Sequence, residues 1–259
     1  MNSNNLEDSE RSENVQNLKQ LKGTEGKELR EKEINKTIVI DGLTNPTLYE
    51  NAPVRILFVL KEAYDTEGDN VEFWNHTDYL RDPDFYILDK KDYPTHYVVS
   101  KISSGLLHNW LFSNPQYEKL WADDTTAPEI LSDFQSIGWV NIGKFPAPGQ
   151  SSTSSSRLHE VYNDWKDVLF AQIEVYDPDI IIFGGTFGVI EEDLDNSDNP
   201  FYGLEYLFKE GATKAYKDKK GRLLLSTYHP SQRTIQREKY VNSIIHLARR
   251  AEFRKNINK

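Results

Sequence analysis

The 259-residue chain contains no cysteine, which excludes disulfides, thiolate nucleophiles, cysteine-held iron–sulfur clusters and cysteine zinc sites. It contains no apolar run of roughly 18 residues, so no transmembrane helix is expected. The opening MNSNNLEDSERSENVQ has none of the apolar core of a secretory signal, and an intracellular, cytoplasmic protein is expected. His76, His96, His108, His159 and His246 show no metal-ligand spacing, and Gly184-Gly185 lacks the spacing of a nucleotide-binding loop. No metal and no cofactor are therefore expected.

What is present is acidic overall, with a formal charge of −10, yet residues 229–259 carry eight Lys or Arg against Glu238 and Glu252. That segment is net positive, so whole-chain charge does not decide whether a nucleic acid is the partner. Residues 1–35 are polar with almost no apolar side chains and read as a disordered or frayed segment. A single domain is expected over 36–259. Its length supports a substantial core.

Four short apolar runs predict strands: Val54–Leu60, Gly138–Ile142, Ile180–Phe183 and Leu223–Ser226. Nearly unbroken apolar runs are how strands buried on both faces of a parallel sheet read. Helical spacing over 158–173 ends at Asp177-Pro178, and further helices are predicted over 236–254 and 99–112. The alternation predicts an α/β fold, a three-layer α/β/α sandwich around a central four-stranded, mostly parallel sheet. Segments 64–98 and 186–221 read as functional loops or insertions.

Ligands of open parallel sheets bind beyond the carboxyl ends of the strands. The four strands exit into Lys61-Glu62-Ala63-Tyr64-Asp65, into Asn141 through Gly149, into Gly184-Gly185-Thr186, and into Tyr228-His229-Pro230-Ser231-Gln232-Arg233. One cleft would then gather Glu62, Asp65, Asn141, Lys144 and His229.

These stretches resemble the uracil-DNA glycosylase superfamily, most like its family 4 branch. Glu62-Ala63 matches within the Gly-Glu-Ala-Pro-Gly loop. The stretch from Asn141 through Lys144 to Pro146 resembles Asn-x-x-Lys-x-x-Pro, with the proline one residue early. Residues 170–185 resemble the helix, proline and strand before the glycine turn, and Tyr228-His229-Pro230-Ser231 resembles the closing Tyr-His-Pro motif. The likeness runs in order over roughly residues 54–253. Three departures stand out: the cluster cysteines are missing, Lys61 and Tyr64 replace glycine and proline, and Ala63 stands where a water-activating aspartate stands in another branch.

The resemblance implies a monofunctional, monomeric DNA glycosylase that flips out uracil or another modified pyrimidine and hydrolyses its bond to deoxyribose. His229 would donate to the departing base, and Glu62 or Asp65 would orient water. Asn141 would read the base edge in a pocket that includes Ala63 and Tyr64, with Phe73, Trp74 or Tyr97 stacking on the ring. Lys144, Ser151, Ser152 and Ser231 would contact phosphate, and Arg233 would fill the space the base vacates. No lysine is placed as a Schiff-base nucleophile. Two other classes remain open, a DNA-binding module that has lost hydrolysis and a hydrolase of small nucleosides or nucleotides.

Overall fold

The computed structural model describes residues 39–62, 64–65, 74–75, 94–109, 114, 128–144, 147–148 and 153–257. The first part of the chain forms β1 (Val39–Ile40), β2 (Gly42–Leu43), α1 (Pro46–Glu50), β3 (Ile56–Leu60), β4 (Tyr64–Asp65) and β5 (Trp74–Asn75). The middle forms α2 (Pro94–Leu107), α3 (Pro128–Gln135), β6 (Gly138–Asn141), β7 (Ala147–Pro148) and α4 (Ser155–Tyr176). The last part forms β8 (Ile180–Gly184), α5 (Phe187–Glu191), β9 (Glu205–Glu210), β10 (Thr213–Lys217), β11 (Leu223–Thr227) and α6 (Arg237–Ile257).

The principal sheet is mixed and has seven strands in the order β2-β6-β3-β8-β11-β10-β9. Its centre, β6-β3-β8-β11, is parallel, while β2, β10 and β9 join antiparallel. The expectation of four strands is thereby corrected. The four parallel strands are those the apolar runs mark, and the edges escape because their sequences are mixed. The hairpin Glu205–Lys217 falls inside the segment expected to be a loop, and mixes charged with apolar residues without a clean alternation. The helix expected over 99–112 begins earlier, at Pro94, and ends at Leu107.

β3 and β8 are buried along their whole length, which their unbroken apolar sequences require. One apolar cluster packs Phe58, Ile182 and Leu225 against α2, α3 and α6. A second, on alternate strand positions, packs Leu57, Ile181 and Leu224 against α4 and α5. Ser154 caps α4 by accepting from Arg157 N at 3.2 Å, and Asp177 closes it in the left-handed conformation at φ 42°.

The amino ends of the parallel strands are held by compensated charge. Arg55 reaches Asp177 at 3.0 Å and Asp179 at 3.2 Å. Buried Arg222 pairs with Asp218 at 2.5 Å and Glu174 at 3.1 Å. The carboxyl ends are arranged differently.

Candidate functional site

Numbered along the chain, the four parallel strands lie in the order second, first, third, fourth. The connections leaving β3 and β8 therefore run in opposite directions along the sheet, and the crevice that accepts ligands in such sheets opens between these two strands. At that point β3 releases Lys61 and Glu62, and β8 releases Gly184-Gly185-Thr186. The Thr186 hydroxyl donates to Val59 O at 2.8 Å, locking the two exits together. On the far side of β3, Ile142 N donates to Leu60 O and Gly143 N to Lys61 O, both at 2.8 Å. On the far side of β8, Gly185 N donates to Thr227 O at 2.8 Å. Four chain exits thus form one continuous rim.

His229 sits on this rim, partly buried. Its Nδ1 accepts from the backbone N–H of Ser231 at 3.3 Å and lies 2.8 Å from the Ser231 hydroxyl. A ring nitrogen that accepts an N–H carries no proton, so the neutral imidazole holds its proton on Nε2. Burial, helped by the positive charge of Lys61, pushes the His229 pKa down to about 4. Near neutral pH the ring is an uncharged donor whose Nε2–H has no partner among the described residues.

The scaffold fixes that ring closely. Gly185 has φ +73°, and a β-carbon there would lie 3.2 Å from His229 N. A β-carbon at Gly184 would meet Leu60 Cδ2 at 2.5 Å and Pro230 Cδ at 3.0 Å. The buried Tyr240 hydroxyl donates to Tyr228 O at 2.5 Å, and Gln232 N donates to His229 O at 2.9 Å. The Gln232 side chain accepts from Thr234 N and Ile235 N, both at 2.8 Å. The loop from Tyr228 to Ile235 is a clamped turn with exposed Arg233 near its apex.

Glu62 and Asn141 lie on the same rim. Leu60 is the register partner of Asn141, and Glu62 packs beside Gly143. The Thr153 hydroxyl donates to Glu62 Oε1, so the loop before α4 holds the carboxylate. Asn141 is 2% exposed, and its Oδ1 accepts from Trp139 Nε1 at 3.3 Å. Its Nδ2 is buried with no partner among the described residues. An orphaned amide donor at a strand end is costly, and it is suited to an acceptor that arrives with a ligand.

Two expected contacts are corrected. Lys144 is not a phosphate contact. It is 2% exposed, and its Nζ is satisfied by both Asp41 oxygens at 2.9 Å and by Gln172 Oε1 at 2.7 Å. Burial pulls the ammonium below the usual lysine value, with Asp41 opposing that pull. Asp41 also accepts from Asn141 N at 2.6 Å, so the pair serves the site by holding the end of β6. Tyr97 is not a free stacking platform either. It is 6% exposed, within the α2–α6 core, with Lys101 and Arg237 lying 5.2 and 5.0 Å from its ring centroid.

Other candidates are located only in part. The backbones of Tyr64 and Asp65 pair with Ala147 and Pro148, which joins the loops following β3 and β6, and Trp74 pairs with Val39. The side chains of Tyr64, Asp65 and Trp74, and the whole of Ala63, Phe73, Ser151 and Ser152, lie outside the described residues. Among the described residues no group of acidic, His or Cys side chains has metal-binding geometry, and no helix is long and apolar enough to cross a membrane.

Sequence reasoning missed Asp41, Thr153, Gln172, Gln232 and Tyr240. Asp41 alone left a trace, as a single acid between the apolar IVI and the GL that follows. No family model matches the chain, and no curated protein matches it at a significant level.

Proposed function

We propose that the chain is a monofunctional DNA glycosylase, which flips uracil or another modified pyrimidine out of DNA and hydrolyses its bond to deoxyribose. The observation that carries this is the His229 ring, which is neutral, partly buried, fixed at Nδ1 and open at Nε2. It shares one rim with a carboxylate and an orphaned amide donor. The parallel centre of the sheet, with helices packed on either face, is compatible with the three-layer sandwich of the glycosylases that the motifs resemble.

Breaking the C1′–N1 bond sends its electron pair onto the base, where charge gathers on N1 and the neighbouring carbonyl oxygen. A fixed Nε2–H at that oxygen stabilises the transition state, and such donors contribute roughly 3–4 kcal/mol each. Glu62 Oε2 would orient a water whose oxygen bonds to C1′ and whose proton leaves to the carboxylate. Asn141 Nδ2 would donate to a base acceptor, which would relieve its own unmet bond. The DNA strand would bind over the rim, with Ser231 and Arg233 nearest the phosphates.

The test is excision on end-labelled single- and double-stranded oligonucleotides carrying uracil or a panel of modified pyrimidines, with abasic sites revealed by alkali. Cleavage at one base, lost in His229→Ala and reduced in Glu62→Gln, is expected. Salt-sensitive binding without cleavage would instead identify a binding module. Activity on free nucleosides alone would identify a small-molecule hydrolase.

A further inference from the structure

Lys61 leaves β3 at the topological switch point, half-buried, and its ammonium makes no hydrogen bond or ion pair among the described residues. This sets it apart from Lys144 and Arg222, which bury their charges against carboxylates. A cation at such a crevice, with no ion-pair partner among the described residues, is suited to an anion that enters it.

Lys61 and His229 are brought together by the two glycines between them. The side chain of Leu60 and the ring of Pro230 close on the α-carbon of Gly184, and the backbone of His229 closes on Gly185. Both loops therefore rise over the same pair of residues. The Lys61 backbone is itself fixed, since its carbonyl accepts from Gly143 N at 2.8 Å. The two side chains sense each other, because the charge of Lys61 helps to hold His229 neutral.

We infer that the Lys61 ammonium and the His229 Nε2–H form one anion site, which takes up the negative charge of the departing pyrimidine. The inference rests on the proposed glycosylase reaction. The C1′–N1 electron pair ends on the base and is met by one full positive charge and one neutral donor. His229 keeps its proton throughout, and the water proton goes to Glu62. A full charge at this place lowers the demand on the leaving group, so pyrimidines with a less acidic N1 than uracil, such as 5-alkyl uracils, fall within the substrate class.

The experiment compares the full-length wild type with Lys61→Met and Lys61→Arg. Single-turnover excision is measured on oligonucleotides carrying 5-fluorouracil, uracil and 5-methyluracil. Lys61→Met is expected to slow 5-fluorouracil release by about 10-fold and 5-methyluracil release by about 100-fold or more, on the scale of losing one oxyanion donor. Lys61→Arg should restore most of the rate, and the salt dependence of oligonucleotide binding should stay unchanged. Equal slowing of all three bases, with the salt slope falling by about 0.9, would assign Lys61 to a backbone phosphate and overturn the inference. A borohydride-trapped enzyme–DNA adduct that Lys61→Met abolishes would make Lys61 a nucleophile and overturn it too.

Should no base be released by the wild type, the glycosylase reading falls, and with it the leaving-group role. The anion site is then judged by nitrogen NMR of His229 with inorganic phosphate as probe. A phosphate-dependent Nε2 shift, lost in Lys61→Met, sustains the site; absence of that shift in the wild type overturns it.

Discussion

At the residue scale, the protonation state of His229 decides how the site works. Its pKa of about 4 lies below the ordinary 6.5, so between these values the unfolded chain takes up a proton that the folded one refuses. The contribution of this group to stability is complete above pH 6.5 and declines as pH falls toward 4. Nitrogen NMR should find the Nε2–H tautomer from pH 5 upward, and the excision rate of the wild type should show no inflection near 6.5 that coincides with a titration of His229. A second prediction concerns Lys144. Lys144→Met leaves Asp41 buried without its cation, and breaking such a pair costs roughly 3–5 kcal/mol in urea denaturation. The salt slope for DNA binding should not change in that variant, provided it is assayed where it remains folded. His229, Glu62 and Asn141 could be placed at strand ends from the sequence because each closes or closely follows an apolar run. It misplaced Lys144, since nothing local distinguishes a lysine turned inward toward Asp41, about a hundred residues earlier, from one facing solvent.

At the element scale, the glycine turn after β8 and the first residues of α6 act together to hold the His229 loop. Gly184→Ala places a methyl group against Leu60 and Pro230, and overpacking of this kind costs roughly 1–3 kcal/mol. A lower midpoint in urea and slower excision should appear together, because the same contact supports core and rim. Tyr240→Phe removes the hydroxyl that donates to Tyr228 O, at a cost of about 1 kcal/mol. The Nδ1 contacts of His229 are untouched in that variant, so its tautomer should persist by NMR while excision slows. The parallel strands were legible because burial on both faces demands unbroken apolar runs. The hairpin was not, because Glu205, Lys209 and Lys214 interrupt its pattern and a register shift next to Ala215 breaks its alternation. That shift, with charged Glu205 and Lys209, also makes β9 a poor template for pairing with another sheet.

At the scale of the whole molecule, the two ends of the sheet treat charge differently, although the buried Lys144–Asp41 pair at the carboxyl end of β6 is compensated as well. Arg55 and Arg222 meet carboxylates at the amino ends, while at the carboxyl ends the Lys61 ammonium, His229 Nε2 and Asn141 Nδ2 have no partners among the described residues. Surface histidines tie outer elements together by a different device. His159 bonds Ser155 O at 2.6 Å and Glu192 at 2.8 Å, and these raise its pKa, the backbone bond first. Its contribution is therefore present below its unfolded value and is lost as pH rises through its folded one. Proton NMR of His159 should show that raised value return toward 6.5 in Glu192→Gln, with the His229 resonances unchanged.

The strand order also governs how the molecule must be made. β3 is synthesised first of the parallel four, yet its neighbours in the sheet are residues 138–141 and 180–184, and the His229 loop follows only after β11 docks on β8. During synthesis the apolar Ile56–Leu60 segment waits unpaired until distant parts of the chain emerge. Pairing over such separations makes folding slow and leaves that segment open to aggregation meanwhile. Newborn chains should depend on chaperones, and the rim, completed from the last quarter of the sequence, comes into being only when folding is nearly finished.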